Sequence, residues 1–181
     1  MQAVSLRLSG LLKITPRLFE DERGFFFESY QKERYAGVGI DLSFVQDNTA
    51  FSKKGTLRGL HFQSTPGQAK LVSCLLGEIL DVAVDLRPDS LTFGQWESCV
   101  LDANRHEQLF IPVGFAHGYL VLSDVAKVHY KVSSFYEAST EESIRWNDPD
   151  LAIDWGIENP ILSERDQNSL FYKELFPSIR Q

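Results

Sequence analysis

Two histidines, an arginine and a lysine occur in apolar segments where packing alone gives no reason to place them. Residues 57–63 read Leu-Arg-Gly-Leu-His-Phe-Gln, so Arg58 and His61 stand in a segment typical of a buried strand. Lys70 follows shortly, and His117 ends the sequence Ile-Pro-Val-Gly-Phe-Ala-His at 111–117. Cations bind anions, imidazole titrates near neutral pH, and burying such groups without a ligand is costly. We therefore expect these side chains to line one pocket that binds an anionic ligand and moves protons.

The spacing of Arg58 and His61 creates a geometric difficulty for that pocket. Side chains alternate between the two faces of a strand, so residues three positions apart lie on opposite faces. Both can face one pocket only where the strand bends or bulges, and Gly59 is the residue that would allow this. The sequence therefore predicts a bulge at Gly59. The structural alternative is that His61 is a satisfied core residue, as a lone histidine in an apolar strand more often is.

The segment around His117 resembles the second motif of the cupins, in which the histidine is a metal ligand. The first cupin motif would supply His-x-His and a downstream glutamate, whereas this chain has His-Phe-Gln at 61–63. A catalytic metal site usually needs about three protein ligands, and only His61 and His117 are well placed. We therefore predict that the site holds no metal.

Three further side chains have both a structural and a functional interpretation. Tyr130 suits an amphipathic strand position, and it becomes a candidate acid if it faces His61 across the pocket. Asp166 follows Ser163 at the spacing of a helix cap, and its carboxylate could also orient the imidazole of His61. In the strand-like run 79–86 the leucines and valines at even positions share one face and Ile79, Asp81, Ala83 and Asp85 share the other, so Asp81 points either to water or into a polar pocket.

Most of these residues are expected to lie on β-strands. Between residues 57 and 131, short apolar runs alternate with turns, which is typical of a β-sandwich or barrel. Short helices are predicted at 31–36 and from 162 to about 175. The length of 181 residues predicts a single domain, 1–181, with a full hydrophobic core.

Composition argues against several classes of partner. Lys and Arg number 18 and Asp and Glu number 25, and the resulting charge of −7 argues against nucleic acid. No apolar run has the length that a membrane span needs, and the N-terminus lacks a signal-peptide pattern. Cys74 and Cys99 fall in apolar strand-like runs, which indicates free thiols in a reducing compartment. We therefore expect a cytoplasmic protein without a membrane partner.

Eight ordered motifs carry a resemblance to a known family. They are Asp-Glu-Arg-Gly-Phe-Phe-Phe-Glu at 21–28, Phe-Val-Gln-Asp-Asn at 44–48, residues 57–63, Lys-Leu-Val at 70–72, residues 77–85, Thr-Phe-Gly-Gln-Trp at 92–96, residues 111–118 and Ile-Arg-Trp-Asn-Asp at 144–148. Together they resemble the dTDP-4-dehydrorhamnose 3,5-epimerases over residues 11–175. The resemblance implies an all-β, cupin-type β-jelly roll with short peripheral helices, mainly C-terminal. It also implies a homodimer without a metal or an organic cofactor.

The resemblance also implies roles for individual residues. His61 is the general base, held by Asp166; Lys70 steadies the enolate oxygen, and Tyr130 is the acid on the other face of the sugar. The implied ligand contacts are Arg23, Glu28, Gln46, Asn48, Arg58, His117, Tyr136 and Glu141, with Arg23 and Glu28 reaching the neighbouring site of the dimer. Tyr136 resembles the aromatic residue that stacks on thymine, and Phe135 beside it departs from relatives that carry a second tyrosine. From the residues alone, Arg23 and Glu28 are equally well read as ordinary exposed charges.

These residue types suit the inversion of a carbon next to a ketone. A proton there becomes removable when a cation stabilises the enolate oxygen, and inversion needs a second donor on the opposite face. The expected reaction converts dTDP-4-dehydro-6-deoxy-D-glucose to dTDP-4-dehydro-L-rhamnose by inverting C3 and C5. The alternatives are a C3-only epimerase, an epimerase of another nucleotide keto sugar such as a GDP-linked keto-heptose, a metal-dependent cupin oxygenase, and a binding module without catalysis.

Overall fold

The computed structural model describes residues 1–177, which contain thirteen strands and three short helices joined by loops. The strands are β1 (Gln2–Ser5), β2 (Leu12–Thr15), β3 (Phe19–Asp21), β4 (Gly24–Phe26), β5 (Gln46–Lys53), β6 (Leu57–Gln63), β7 (Lys70–Leu76), β8 (Glu78–Asp85), β9 (Trp96–Asp102), β10 (Gln108–Ile111), β11 (Phe115–Val121), β12 (Val125–Val132) and β13 (Glu141–Ser143). The helices are α1 (Lys32–Ala36), α2 (Glu164–Gln167) and α3 (Tyr172–Leu175).

The strands form two large antiparallel sheets and a small hairpin. One sheet has the order β1-β2-β10-β7-β12-β5, the other has the order β13-β6-β11-β8-β9, and β3 pairs with β4. Strands distant in sequence are neighbours in both sheets, which is the connectivity of a jelly roll. The predicted all-β jelly roll is therefore confirmed, and two of its three short helices lie near the C-terminus as expected.

Alternation along the strands produces the core between the two sheets. Val72 of β7, Ile79 of β8, Leu109 of β10 and Val128 of β12 are fully buried there in one apolar cluster. The neighbouring residues of each strand face outward, because successive side chains of a strand point to opposite faces. The alternation predicted for residues 79–86 is therefore confirmed.

Two outer layers cover parts of the sheet faces that point away from this core. The C-terminal segment packs Leu151, Trp155 and Tyr172 against Leu60 of β6 and Val82 of β8. Burial of these large side chains ties the C-terminal helices to the five-stranded sheet. That attachment fixes the position of α2, which carries a residue of the candidate site.

Helix α1 belongs to the second outer layer, on the six-stranded sheet. Its Tyr35 and the following Ile40 pack against Leu71 of β7 and Phe110 of β10. Gln31 caps the helix by accepting a hydrogen bond from a backbone N–H of the first turn. The predicted helix at 31–36 is thus confirmed, with one residue of difference at its start.

The predicted helix from 162 to about 175 is wrong in one respect, because two short helices replace it. Leu170 lies between α2 and α3 in extended backbone and forms a parallel bridge with Ile144. The Leu170 carbonyl also accepts a hydrogen bond from the Arg145 N–H at 2.8 Å. Pairing with this neighbouring segment takes the backbone groups that a continuous helix would use, so the helix stops and restarts.

The structure also bears on the predictions about free cysteines and membrane-spanning segments. Cys74 is buried, Cys99 is half-buried, and both are free thiols as predicted. Within residues 1–177, no helix has the length and apolar character needed to cross a membrane.

Candidate active site

A polar cavity of about 320 Å³ opens inside the jelly roll, between the inner faces of the two sheets. Side chains that face inward from β5, β6, β7, β11 and β12 form most of its wall. The lining residues are Gln46, Asn48, Ala50, Arg58, His61, Gln68, Lys70, His117, Tyr119, Tyr130, Tyr136, Glu141 and Arg165. Nine of the twelve predicted site residues are among them, so the structure gathers groups that are far apart in sequence.

A bulge in β6 brings Arg58 and His61 to the same cavity. His61 pairs with His117 of β11, whereas Arg58 pairs with Tyr119, so two residues of β6 stand opposite one of β11. The register therefore shifts by one residue, and both side chains turn inward. Leu57, Leu60 and Phe62 turn to the opposite face, where they join the C-terminal layer.

Gly59 is required at this bulge for two independent reasons. Its φ is +115°, a conformation that residues with a side chain rarely adopt. A Cβ atom at this position would lie 2.6 Å from both the Gly118 Cα and the His117 carbonyl oxygen. The predicted bulge at Gly59 is thus confirmed, and close approach of β11 is an additional reason for the glycine.

The carboxylate of Asp166 holds the imidazole of His61. The distance from His61 Nε2 to Asp166 Oδ1 is 2.6 Å, and Asp166 is buried. Burial alone would raise the pKa of Asp166, but the hydrogen bond and charge of His61, with Ser163, outweigh it and lower the pKa. Ser163 caps α2 through the Asp166 N–H, so the expected cap and the expected contact with His61 are both present, and the catalytic role of Asp166 stays a prediction. Asp166 orients the ring while Ser163 supplies the cap.

Lys70 lies at the buried floor of the cavity. It is 8% exposed, and its Nζ donates to the His61 carbonyl oxygen at 3.4 Å. Burial lowers the pKa of Lys70 to about 8, against the opposing effect of the carboxylates of Glu141 and Asp81. The lysine is therefore a cation that little water solvates, which favours an interaction with a negatively charged oxygen.

His117 is a buried imidazole of the cavity wall, and its partner is Asp81. Nε2 of His117 lies 2.9 Å and 3.0 Å from the two carboxylate oxygens of Asp81. Burial lowers the pKa of His117, although Asp81 acts in the opposite direction. Asp81 thus points into the polar interior rather than to water. Among residues 1–177, no group of three or more His, Cys, Asp or Glu side chains is arranged to hold a metal ion.

Tyr130 of β12 opens into the same cavity as His61. Burial raises the pKa of its phenol, with Glu141 acting in the same direction and Arg58 in the opposite one. The phenol therefore carries its proton at neutral pH. The arrangement places a basic ring and a protonated phenol around one space that a small ligand could occupy.

Exposed side chains surround the mouth of the cavity, including one that the sequence reasoning missed. Arg165 lies at the mouth and forms an ion pair with Glu141. Gln46 donates to Asn48 Oδ1 at 2.8 Å and accepts from the Tyr136 N–H at 3.3 Å. The signal for Arg165 was its position directly before Asp166, but a helix surface is also where solvated arginines are common. Gln68, Ala50 and Tyr119 were missed as well, since each fits an ordinary strand or loop.

Two predicted ligand contacts do not reach this cavity within the single chain. Arg23 lies in the β3–β4 turn and pairs with Asp21 at 2.5 Å. Glu28 pairs with Arg34 of α1. Their prediction required a second copy of the chain, so it stays a prediction.

The jelly roll with a polar cavity between its sheets defines a cupin-type protein with acid–base side chains at its ligand site. Comparison with known proteins narrows this class. Residues 5–174 match the model of the family described as dTDP-4-dehydrorhamnose 3,5-epimerase. The chain therefore belongs to the dTDP-4-dehydrorhamnose 3,5-epimerase family, and it is an isomerase.

Individual relatives agree with the family model. A dTDP-4-dehydrorhamnose 3,5-epimerase of Pseudomonas aeruginosa is 48% identical over 92% of this chain and 93% of its own length. A dTDP-6-deoxy-D-glucose-3,5-epimerase of Legionella pneumophila, solved in complex with dTDP-4-keto-L-rhamnose, superposes with a TM-score of 0.91 at 46% identity, covering 94% of this chain and 92% of the other. A dTDP-4-dehydrorhamnose 3-epimerase of Streptomyces niveus is 40% identical over 96% of this chain and 85% of its own length.

Proposed function

We propose that the chain inverts C3 and C5 of dTDP-4-dehydro-6-deoxy-D-glucose and so forms dTDP-4-dehydro-L-rhamnose. The observation that carries the proposal is that His61 and Tyr130 open into one cavity with Lys70 at its floor. The keto sugar nucleotide bound to the L. pneumophila neighbour supports the substrate class. The proton transfers in the scheme use only side chains, with no metal or organic cofactor.

His61 is the proposed base. Its Nε2 is bound to Asp166, and a carboxylate can only accept a hydrogen bond, so the ring proton belongs on Nε2. Nδ1 is then the nitrogen that accepts a proton from the carbon beside the C4 ketone. As the C–H bond breaks, its electron pair moves toward the ketone and negative charge develops on the C4 oxygen. The buried ammonium group of Lys70 stabilises that charge.

Tyr130 is the proposed acid on the opposite face of the sugar. Its phenol donates a proton to the carbon of the enolate, and the ketone forms again with the carbon inverted. Solvent then returns a proton to Tyr130 and takes the extra proton from His61. Since C3 and C5 both flank the C4 ketone, one set of groups can serve both centres after the ring shifts in the cavity.

The remaining cavity residues are proposed to bind the nucleotide. Guanidinium groups suit the diphosphate, and Arg58 and Arg165 are both exposed at the cavity mouth. Tyr136 is exposed there too, which supports stacking on thymine. Gln46, Asn48, Glu141 and His117 provide hydrogen bonds to the remaining polar groups of the ligand.

Arg23 and Glu28 are proposed to reach the cavity of a second copy in a homodimer. Both lie apart from the cavity of their own chain, in an exposed region that follows β3. Mixing chains that carry Arg23→Ala with chains that carry His61→Ala tests this arrangement. Each mixed dimer would contain one intact site, so activity should recover to about a quarter of the wild-type value after random exchange. Recovery should be absent if Arg23 serves the site of its own chain.

A narrower reaction has one specific observation in its favour. The S. niveus relative is named a 3-epimerase and is 40% identical to this chain, so one family covers both outcomes. Incubation of the purified protein with the dTDP-keto sugar in deuterated water distinguishes them by NMR. We expect deuterium at C3 and C5; label at C3 alone would establish the narrower reaction. No exchange with this sugar would contradict the proposed function.

Two substitutions test the assigned roles. His61→Ala should abolish deuterium exchange while affinity for dTDP stays within about tenfold, which corresponds to about 1.4 kcal/mol. Tyr130→Phe should still allow exchange of the proton that His61 removes, but it should suppress the inverted product. Unchanged turnover of the His61 variant would remove that residue as the base.

A further inference from the structure

Ser52 is a buried serine on the inner face of β5, next to the candidate site. It is 6% exposed, and its Oγ accepts a hydrogen bond from Arg58 Nε at 3.1 Å. The Arg58 side chain is otherwise exposed, and Nη2 makes a long contact of 3.5 Å with the Phe51 carbonyl oxygen. The buried Ser52 hydroxyl therefore fixes one end of the long, exposed Arg58 side chain through a hydrogen bond.

Tyr119 of β11 is the cross-strand partner of Arg58, lines the same cavity and has an unusual hydroxyl group. It is 4% exposed, and its hydroxyl makes no hydrogen bond of normal length and angle within residues 1–177, although the Ser52 hydroxyl lies near enough to act on it. By contrast, the buried hydroxyl of Tyr35 bonds to both Ser29 O and Gln108 Oε1. Leaving a buried hydroxyl unsatisfied is costly, so its retention at a ligand cavity points to a partner that arrives in another state.

Arg58 and Ser52, which are hydrogen-bonded to each other, both act on the Tyr119 hydroxyl. Burial raises the pKa of Tyr119, and the charge of Arg58 and hydrogen bonding from Ser52 oppose this rise. A phenol oxygen can accept from a guanidinium, which offers five N–H donors in a fixed fork. Movement of Arg58 toward the cavity would therefore give Tyr119 a partner while Ser52 keeps hold of Nε.

We propose that Ser52 and Tyr119 are positioning residues that orient the Arg58 guanidinium toward the diphosphate oxygens of the ligand. The identity of the ligand rests on the proposed function. Neither residue moves a proton in this scheme. Because the diphosphate is not the reacting part of the substrate, the two residues contribute equally to the ground state and the transition state. Their loss therefore weakens binding and leaves the chemical step unchanged.

The test measures affinity for dTDP and steady-state kinetics of Ser52→Ala and Tyr119→Phe. We expect each substitution to raise the dTDP Kd and the KM by about three- to tenfold, the scale of a single hydrogen bond, with kcat within about twofold of wild type. Ser52→Thr keeps the hydroxyl and should restore the affinity. Unchanged affinity in both variants would overturn the proposal.

A double-mutant cycle separates this role from a general loss of packing. In an Arg58→Met background, Ser52→Ala and Tyr119→Phe should cause no further loss of dTDP affinity, because the group they orient is gone. An undiminished loss in that background would overturn the proposal. Ser73→Ala is the matched control, since Ser73 is a buried serine of the neighbouring β7 whose Oγ accepts from Gln108 at 2.9 Å, outside the cavity. It should lower the melting temperature without changing KM.

An NMR measurement on the ligand-free chain tests the positioning of Arg58 separately from the identity of the ligand. The NMR signal of the Arg58 Nε–H should be protected from solvent exchange in the wild-type chain and lose protection in Ser52→Ala. If the wild-type chain binds no dTDP but the signal behaves in this way, the ligand assignment fails and the positioning of Arg58 stands. If dTDP binds and protection is unaffected by the substitution, the positioning role fails alone.

Discussion

Replacing Asp166 by asparagine removes the charge that holds His61 while keeping the size of the side chain. The His61–Asp166 distance is 2.6 Å and the carboxylate is buried, so the contact has the geometry of a hydrogen bond to a charged group. Such bonds contribute about 1.5–3 kcal/mol, which corresponds to a loss in kcat of roughly 10- to 150-fold if the bond strengthens as His61 gains a proton. The asparagine amide could also donate to Nε2, which would leave the proton on Nδ1 and disable the base.

The assay is the initial rate of deuterium incorporation from solvent, with dTDP affinity measured in parallel. We expect Asp166→Asn to lose turnover in the stated range while its dTDP Kd stays within about threefold, because Asp166 lies behind His61 rather than at the mouth of the cavity. Turnover within about threefold of wild type would refute the reasoning, since the charge would then contribute little to the base.

Ser163→Ala provides the matched control for this prediction. Ser163 caps α2 and donates to Asp166 Oδ2 at 2.8 Å, so its removal disturbs the same helix without removing the charge. Loss of the cap should lower the free energy of unfolding by about 0.5–2 kcal/mol. A fall in kcat as large as that of Asp166→Asn would indicate that helix position, rather than the carboxylate charge, controls turnover.

Three further predictions follow from Lys70, Arg165 and Gly59. Burial lowers the pKa of Lys70 to about 8, so the lysine loses its charge as pH rises through that value and kcat/KM should fall above it. Glu141→Gln removes a charge that raises this pKa, so in that variant the fall in kcat/KM should begin at a lower pH. An unchanged pH profile of kcat/KM in the variant would contradict the assignment. Arg165→Gln should weaken dTDP binding by roughly tenfold, as expected for a charge-assisted contact, whereas Arg105→Gln, on an exposed arginine outside the cavity, should leave the Kd unchanged. Gly59→Ala should lower the free energy of unfolding, measured by chemical denaturation, by at least about 2 kcal/mol, because Gly59 has a positive φ and lies against the β11 backbone. A loss below about 0.5 kcal/mol would show that the bulge tolerates a side chain.

Several parts of the fold could be predicted because they depend on local patterns. Alternation in β8 and the turn after Asp85 follow from side-chain size and from residues that favour turns. The helix starting at Lys32 follows from a polar segment closed by glycines. The break between α2 and α3 could not be predicted in this way, because it depends on a bridge between Leu170 and Ile144, 26 residues apart.

Some residues of the candidate site could likewise be predicted from local sequence, and others could not. Arg58 and His61 were recognisable because charged and titrating groups are unexpected in an apolar strand, and Gly59 indicated how they could share a face. Arg165 and Tyr119 carried no such signal, since an arginine on a helix surface and a tyrosine in a strand are ordinary. Their assignment to the cavity depends on which strands become neighbours.

The residue types, the strand periodicity and the family resemblance can all be read from the chain as written, because they depend on neighbours along it. The partner that each polar group receives depends on the folded arrangement of the strands and helices. His61 acquires Asp166 from a helix more than a hundred residues away, and Asp81 turns out to hold His117 on the adjacent strand. The pKa of Lys70 is lowered because the packed sheets exclude water from its ammonium group. Exclusion of water and pairing across strands are properties of the folded chain, and they turn a set of polar residues into a candidate site for proton transfer.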